Sequence, residues 1–158
     1  MSDAPVPRSA GILLYRHGEP GLEVLLVHPG GPFWARRDLG VWSIPKGEYE
    51  PGEDALDAAR REFEEELGSP PPAGEPHDLG EVRQKSRKLV RAWALAGDLD
   101  ASAIQSNTFI MQWPPKSGRM QEFPEVDRAA WFGPDEARSR IIEAQAPLLD
   151  RLVELIGG

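Results

Sequence analysis

The chain contains no cysteine in its 158 residues. That excludes disulfides and thiolate metal sites, and it is compatible with a reducing compartment. No apolar run reaches the length of a secretory signal or a membrane span. The expectation is therefore a soluble, cytoplasmic protein with no membrane partner. There is no internal repeat and no linker of domain length. The length fits one domain with a real core: a loose arm at residues 1–8, then a single domain over 9–158. Excess positive charge is also missing. Lys and Arg number 18 against 26 Asp and Glu, a net charge of −8, and the basic residues form no stripe. This argues against a long nucleic acid as partner. A small phosphate compound stays open, because a bound cation inverts the local field.

Gly and Pro are abundant, at 16 each. They cluster between patterned segments, as in a loop-rich globular domain, without a collagen-like period. Short apolar runs at 9–16 and 22–28 read as a strand hairpin. Further extended segments are expected at 41–44, 79–84, 89–96, 108–113 and 129–132. The clearest helix is 54–67, and 134–144 with 147–156 reads as a closing helix or helix pair. Mixed strands with one central and one terminal helical region suggest an α/β layered fold.

The densest chemistry lies at Gly47-Glu48-Tyr49-Glu50-Pro51-Gly52-Glu53 and Arg61-Glu62-Phe63-Glu64-Glu65-Glu66-Leu67-Gly68. A carboxylate cluster of this density repels itself, and a hard divalent cation with oxygen ligands would neutralise it. At about 100° per residue, Leu56, Phe63 and Leu67 share a narrow arc beside Ala59, which is the expected core stripe. Asp57, Arg60 and Glu64 form the solvated face. Glu62, Glu65 and Glu66 stand at i, i+3, i+4 on an arc shared with the small Ala55 and Ala58, which would leave room for a ligand. A run of charge is more often a solvated face. Against that reading, Glu62 and Glu66 border the core stripe, and like charges at this spacing destabilise a bare helix. Arg61 offsets part of the repulsion.

Gly47, Glu53, Arg61, Glu62, Phe63, Glu65, Glu66 and Gly68 fall at the spacings of a known signature, and the stretch from Gly47 to Gly68 resembles the Nudix box. Ser69 departs from it, standing where an apolar residue is usual. The lead Trp42-Ser43-Ile44-Pro45-Lys46-Gly47 is similar to that of diadenosine polyphosphate hydrolases and diphosphoinositol phosphatases. The resemblance to Nudix hydrolases, and to bacterial nucleoside triphosphate pyrophosphohydrolases of the MutT type, covers most of the chain. It implies a mixed β-sheet sandwiched between helices, and hydrolysis of a nucleoside diphosphate linked to another moiety with magnesium or manganese. Carried over by position, Glu62, Glu65, Glu66 and the backbone carbonyl of Lys46 would ligate metal. Arg61 and Glu53 would form an orienting ion pair, and the general base would be a box glutamate or one from a later loop. A homodimer is an expectation of the same kind.

Outside the box, Glu122 and Glu125 are candidates for an extra ligand or base, with loop charges as the plainer reading. Lys46, Lys85, Lys88 and Arg37 are candidates to meet phosphates, alongside Arg36 and Arg87. Phe33, Trp34, Phe109, Trp113 and Phe123 could wall a base slot, whereas Trp131 and Phe132 read as core. His28 reads as a satisfied structural histidine. A catalytically silent nucleotide-binding module is the alternative function, although such a relative would be expected to have lost one of the three glutamates.

Overall fold

A computed structural model of the chain describes residues 6–18, 21–85 and 87–157. Its strands are β1 (Arg8–His17), β2 (Leu22–Pro29), β3 (Lys46–Glu48), β4 (His77–Arg83), β5 (Leu89–Ala96), β6 (Thr108–Gln112), β7 (Met120–Pro124) and β8 (Val126–Phe132). The helices are α1 (Ala55–Leu67), α2 (Pro134–Arg140) and α3 (Ala146–Leu155). Among the described residues, six strands form one mixed sheet in the order β4-β5-β1-β2-β8, with β3 also paired to β1. Among the described strands, β1 and β5 run parallel and the other pairs antiparallel; β6 and β7 form a separate hairpin.

Alternation along the central strands sorts the core into two layers. On one face Leu13, Val24, Leu26, Val90 and Ala92 pack against Ala137 of α2 and Leu148, Leu149 and Leu152 of α3. On the other, Ile12, Leu14, Leu25, Val27, Trp93 and Leu95 pack against Ala58, Ala59, Phe63 and Leu67 of α1. The sheet is thus sandwiched between helices, as the resemblance implied. No helix among the described residues is long and apolar enough to cross a membrane.

One irregularity positions the site. The N-terminal part of β1 pairs with β3, through Ser9, Ala10 and Gly11, while its C-terminal part pairs with β2. The intervening chain is wedged between the two strands. Ser43 exchanges both backbone bonds with Val27, and the Ile12 N–H donates to the Pro45 carbonyl at 3.2 Å. Opening a sheet in this way leaves a cleft at the split, and Lys46 sits in it.

Several expectations shift. Ala58 is fully buried in the core rather than lining a ligand space, whereas Leu56 is only partly covered. The helix sits closely on the sheet, and a close approach selects the small side chain. The segment expected as one helix over 134–144 ends at Arg140; a short 3-10 turn, Glu143–Gln145, leads into α3. Strand β7 was not legible, because its residues are mostly exposed and lack apolar alternation. Residues 1–5 of the expected arm, the Glu19-Pro20 part of the first turn and Ser86 lie outside the described residues. Of the remaining arm, the Pro7 carbonyl accepts from Leu89 N–H at 3.0 Å and Arg8 opens β1.

Candidate active site

Helix α1 starts at Asp54, whose carboxylate caps the Asp57 N–H at 3.0 Å, as expected of an N-cap aspartate. It ends at Gly68, whose φ is 84°. Between these ends Glu62 faces Gly47 of β3 and Glu66 faces the cleft. Gly47 explains its own identity: a Cβ there would stand 2.1 Å from the Glu62 carboxyl carbon. Only hydrogen leaves space for that carboxylate against the strand.

The Arg61 guanidinium ties loop to helix. It donates to Glu53 Oε2 at 2.5 Å and to Glu62 Oε1 at 3.2 Å, and its Nε lies 3.8 Å from Glu65 Oε1. Glu66 is turned the other way, with Oε1 accepting from the Lys46 N–H at 3.3 Å. Burial pushes the Glu66 carboxyl up to about 8, with the neighbouring charge of Glu62 adding to the effect and Lys46 opposing it. Burial also raises Glu62, helped by Glu65 and Glu125 and opposed by Arg61. The Lys46 ammonium is held below its usual range by burial and by the repulsion of Lys88, against the pull of Glu66, Glu48 and Glu62. These shifts describe carboxylates with too little water and too little countercharge, the setting that a divalent cation relieves.

The donor set fits such an ion: three carboxylates on adjacent turns beside a backbone segment at Lys46. Among the described residues, no three acidic or imidazole groups already converge at ligation geometry. Arg61 and the Lys46 N–H hold the carboxylates apart.

A cavity of about 300 Å³ opens beside Glu66 and Lys46. Its lining includes Lys46, Glu66 and Glu125 together with Pro29, Trp34, Val41 and Ile142. The structure therefore brings Glu125 to the box glutamates. It does not bring Glu122, which accepts from Thr108 Oγ1 at 2.9 Å on the β6–β7 hairpin. Lys88 lies on the site's side, 3.2 Å from Glu48 Oε2. Lys85 instead lines clefts with Glu143 and Ala144, at the connection between α2 and α3. Arg37 is exposed, with its guanidinium 5.8 Å from the Trp34 ring centre. A larger cavity, about 440 Å³, is lined by Asp38, Asp127, Arg128 and Arg140. There Arg140 already pairs with Asp38, and Arg128 lies 3.9 Å from both Asp38 and Asp127.

His28 is fully buried, its Nδ1 2.7 Å from Asp127 Oδ1 and its Nε2 2.6 Å from the Arg37 carbonyl oxygen. Both ring nitrogens have a partner, and the side chain anchors the loop after β2.

Sequence reading missed Gln145. This side chain is fully buried. It accepts from the Ile44 N–H at 3.1 Å, and its Nε2 donates to Ser43 Oγ and to Gln84 Oε1, each at 3.1 Å. Gln145 thus braces the wedge leading to Lys46 against the β4–β5 turn. A glutamine between Ala144 and Ala146 gives no signal of burial.

A family model described as NUDIX domain matches residues 5–152. Among solved structures, a C. elegans Ap4A hydrolase in a binary complex is 24% identical, with 97% of this chain and 99% of that chain covered and a TM-score of 0.66. The NUDIX domain of Shewanella oneidensis NrtR complexed with ADP ribose is 16% identical, with 98% and 90% covered and a TM-score of 0.67. A MutT protein from Methanosarcina mazei Go1 is 18% identical over 100% of both chains, with a TM-score of 0.63. At these identities the likeness is one of fold. No curated protein matches the chain.

Proposed function

We propose that this chain, which belongs to the NUDIX domain family, hydrolyses a diphosphate linkage in a small nucleoside diphosphate-linked substrate. Magnesium or manganese is the cofactor of this reading. The observation that supports it is that Glu66 lines a cavity with Lys46 and Glu125, while Glu62 stands against Gly47 and Glu65 lies beside Arg61 on the same helix. Glu62, Glu65, Glu66 and the Lys46 carbonyl would hold the cation, which when bound neutralises phosphate charge and orients the attack of water.

The chain's own residues do the rest. Glu53 and Arg61 fix the loop before α1 against the helix, so the carboxylates present one geometry. The Lys46 ammonium, short of water at the cleft floor, gains a counter-ion when an anionic phosphate enters. Water attacks phosphorus, the bridging P–O bond breaks, and the proton released from water passes to a carboxylate. In this reading the carboxylate is Glu62 or Glu65 from the box, or Glu125 from outside it. Lys88 supplies further positive charge on the same side.

The other reading is a nucleotide-binding module without turnover. A single assay separates the readings. Phosphate release is measured across nucleoside triphosphates, oxidised triphosphates, diadenosine polyphosphates and nucleotide sugars, in magnesium, in manganese and in chelator, with a coupling phosphatase. Metal-dependent turnover of one class is the expected result. Nucleotide binding without turnover on any member would overturn the hydrolase reading.

A further inference from the structure

The chain has five tryptophans, and core packing or a neighbouring aromatic accounts for four. Trp42 and Trp93 are buried, at 2% and 7% exposure. Trp131 packs on the α1-side core, donates its indole N–H to the Leu99 carbonyl at 3.0 Å and carries the Arg16 guanidinium 4.0 Å above its ring. Trp113 meets Phe33 edge-on, with ring centres 5.3 Å apart. Trp34 is left. It is 39% exposed and lines the cavity shared by Lys46, Glu66 and Glu125.

We propose that Trp34 is the stacking platform for the nucleobase of the substrate, so that the cavity takes one nucleoside whose phosphates run toward Lys46 and the glutamates. This rests on the reading above that the substrate is nucleoside diphosphate-linked. The cavity lining is mixed, with an aromatic and apolar residues beside charged ones, which matches a base joined to phosphates. At about 300 Å³ it stands at the lower end of small-molecule pockets.

The platform is built in advance of the ligand. The Gly30 N–H donates to the Glu125 carbonyl at 2.9 Å, and a Cβ on Gly30 would stand 1.9 Å from the Pro124 carbonyl oxygen. Backbone meets backbone there, and only glycine permits it. The loop bearing Trp34 is thus joined to the segment bearing Glu125. Its far end is held by buried His28 on the Arg37 carbonyl, while the Arg37 N–H donates to the Trp34 carbonyl at 3.0 Å. An aromatic held at a fixed position loses little freedom on binding. Every base has a π-face, so such a platform selects nucleotides over non-aromatic diphosphates without choosing among bases.

The test uses the full chain in magnesium, with ADP and inorganic diphosphate as probes in calorimetric titrations of wild type, Trp34→Phe and Trp34→Ala. The expected result is ADP binding about tenfold weaker in Trp34→Ala and largely retained in Trp34→Phe, with inorganic diphosphate unchanged in both. On a turned-over nucleotide, Trp34→Ala raises KM by the same factor and spares kcat. Equal loss for both probes, or no loss for ADP, overturns the platform. A wild type that hydrolyses nothing yet binds ADP through Trp34 supports the platform while the hydrolase reading fails. A wild type that hydrolyses nucleotides with no dependence on Trp34 has the reverse meaning.

Discussion

Glu66→Gln offers the most direct test of the carboxylate site, because the expected effect is opposite for stability and for activity. Burial lifts the Glu66 carboxyl from its ordinary 4.5 to about 8 in the folded protein. The folded state therefore keeps a proton that the unfolded chain releases. Stability from this group is complete below pH 4.5, falls as pH rises toward 8, and is flat beyond. Each pH unit in that window costs about 1.4 kcal/mol, so the penalty is under about 1 kcal/mol at pH 5 and about 3 kcal/mol at pH 7. Glutamine mimics the protonated acid and still accepts from the Lys46 N–H. In urea melts with EDTA, Glu66→Gln should come within about 1 kcal/mol of wild type near pH 5 and exceed it by about 4 kcal/mol near pH 8. Magnesium should stabilise the wild type more than the variant, because it binds the ionised carboxylate. Metal-dependent turnover should fall. A variant no more stable than wild type at pH 8 would refute the claim that an uncompensated carboxyl sits there.

Glu65→Gln should remove most activity without loss of fold, whereas Glu64→Gln, on the exposed face of α1, should leave kcat unchanged; steady-state kinetics on the two variants checks this. Gln145→Leu leaves the Ile44 N–H unpaired in the interior, so it should lose about 2 kcal/mol in urea melts and raise KM as the Lys46 segment loosens. Lys88→Ala should raise KM more than it lowers kcat, while Lys85→Ala, beside the α2–α3 connection, should change neither. Gly47→Ala forces the Glu62 carboxylate, the free end of a flexible side chain, off the strand, so it should cost activity with a stability change under about 1 kcal/mol, read by kinetics and thermal melts.

The box helix was legible because its information is local. Asp54 caps, Gly68 stops, and Phe63 and Leu67 repeat at helical spacing, so α1 follows from a short window of sequence. The Glu53–Arg61 pair belongs to the same window and was expected from the motif. The alternation of β5 was equally readable, with Val90, Ala92 and Ala94 on one face and Trp93 and Leu95 on the other. The exposed β7 has no such pattern, because a hairpin outside the main sheet buries neither of its faces.

Other features needed the whole fold. The misplacement of Ala58 shows why: a helical wheel orders side chains by angle, but it does not say how close the sheet comes, and close contact turns a small residue into core. Glu122 and Glu125 look alike in sequence, yet the chain carries one onto a hairpin and the other to the cleft. Trp34, Gly30 and Gln145 have meaning only through partners far along the chain, at Glu125, Pro124, Ser43 and Gln84. By itself the sequence determined the box helix, its caps and the spacing of its glutamates, since charge, spacing and caps act over a few residues. Only the tertiary structure decided which of them share a cavity, because that depends on where β1 parts from β2 and what the chain wedges into the gap.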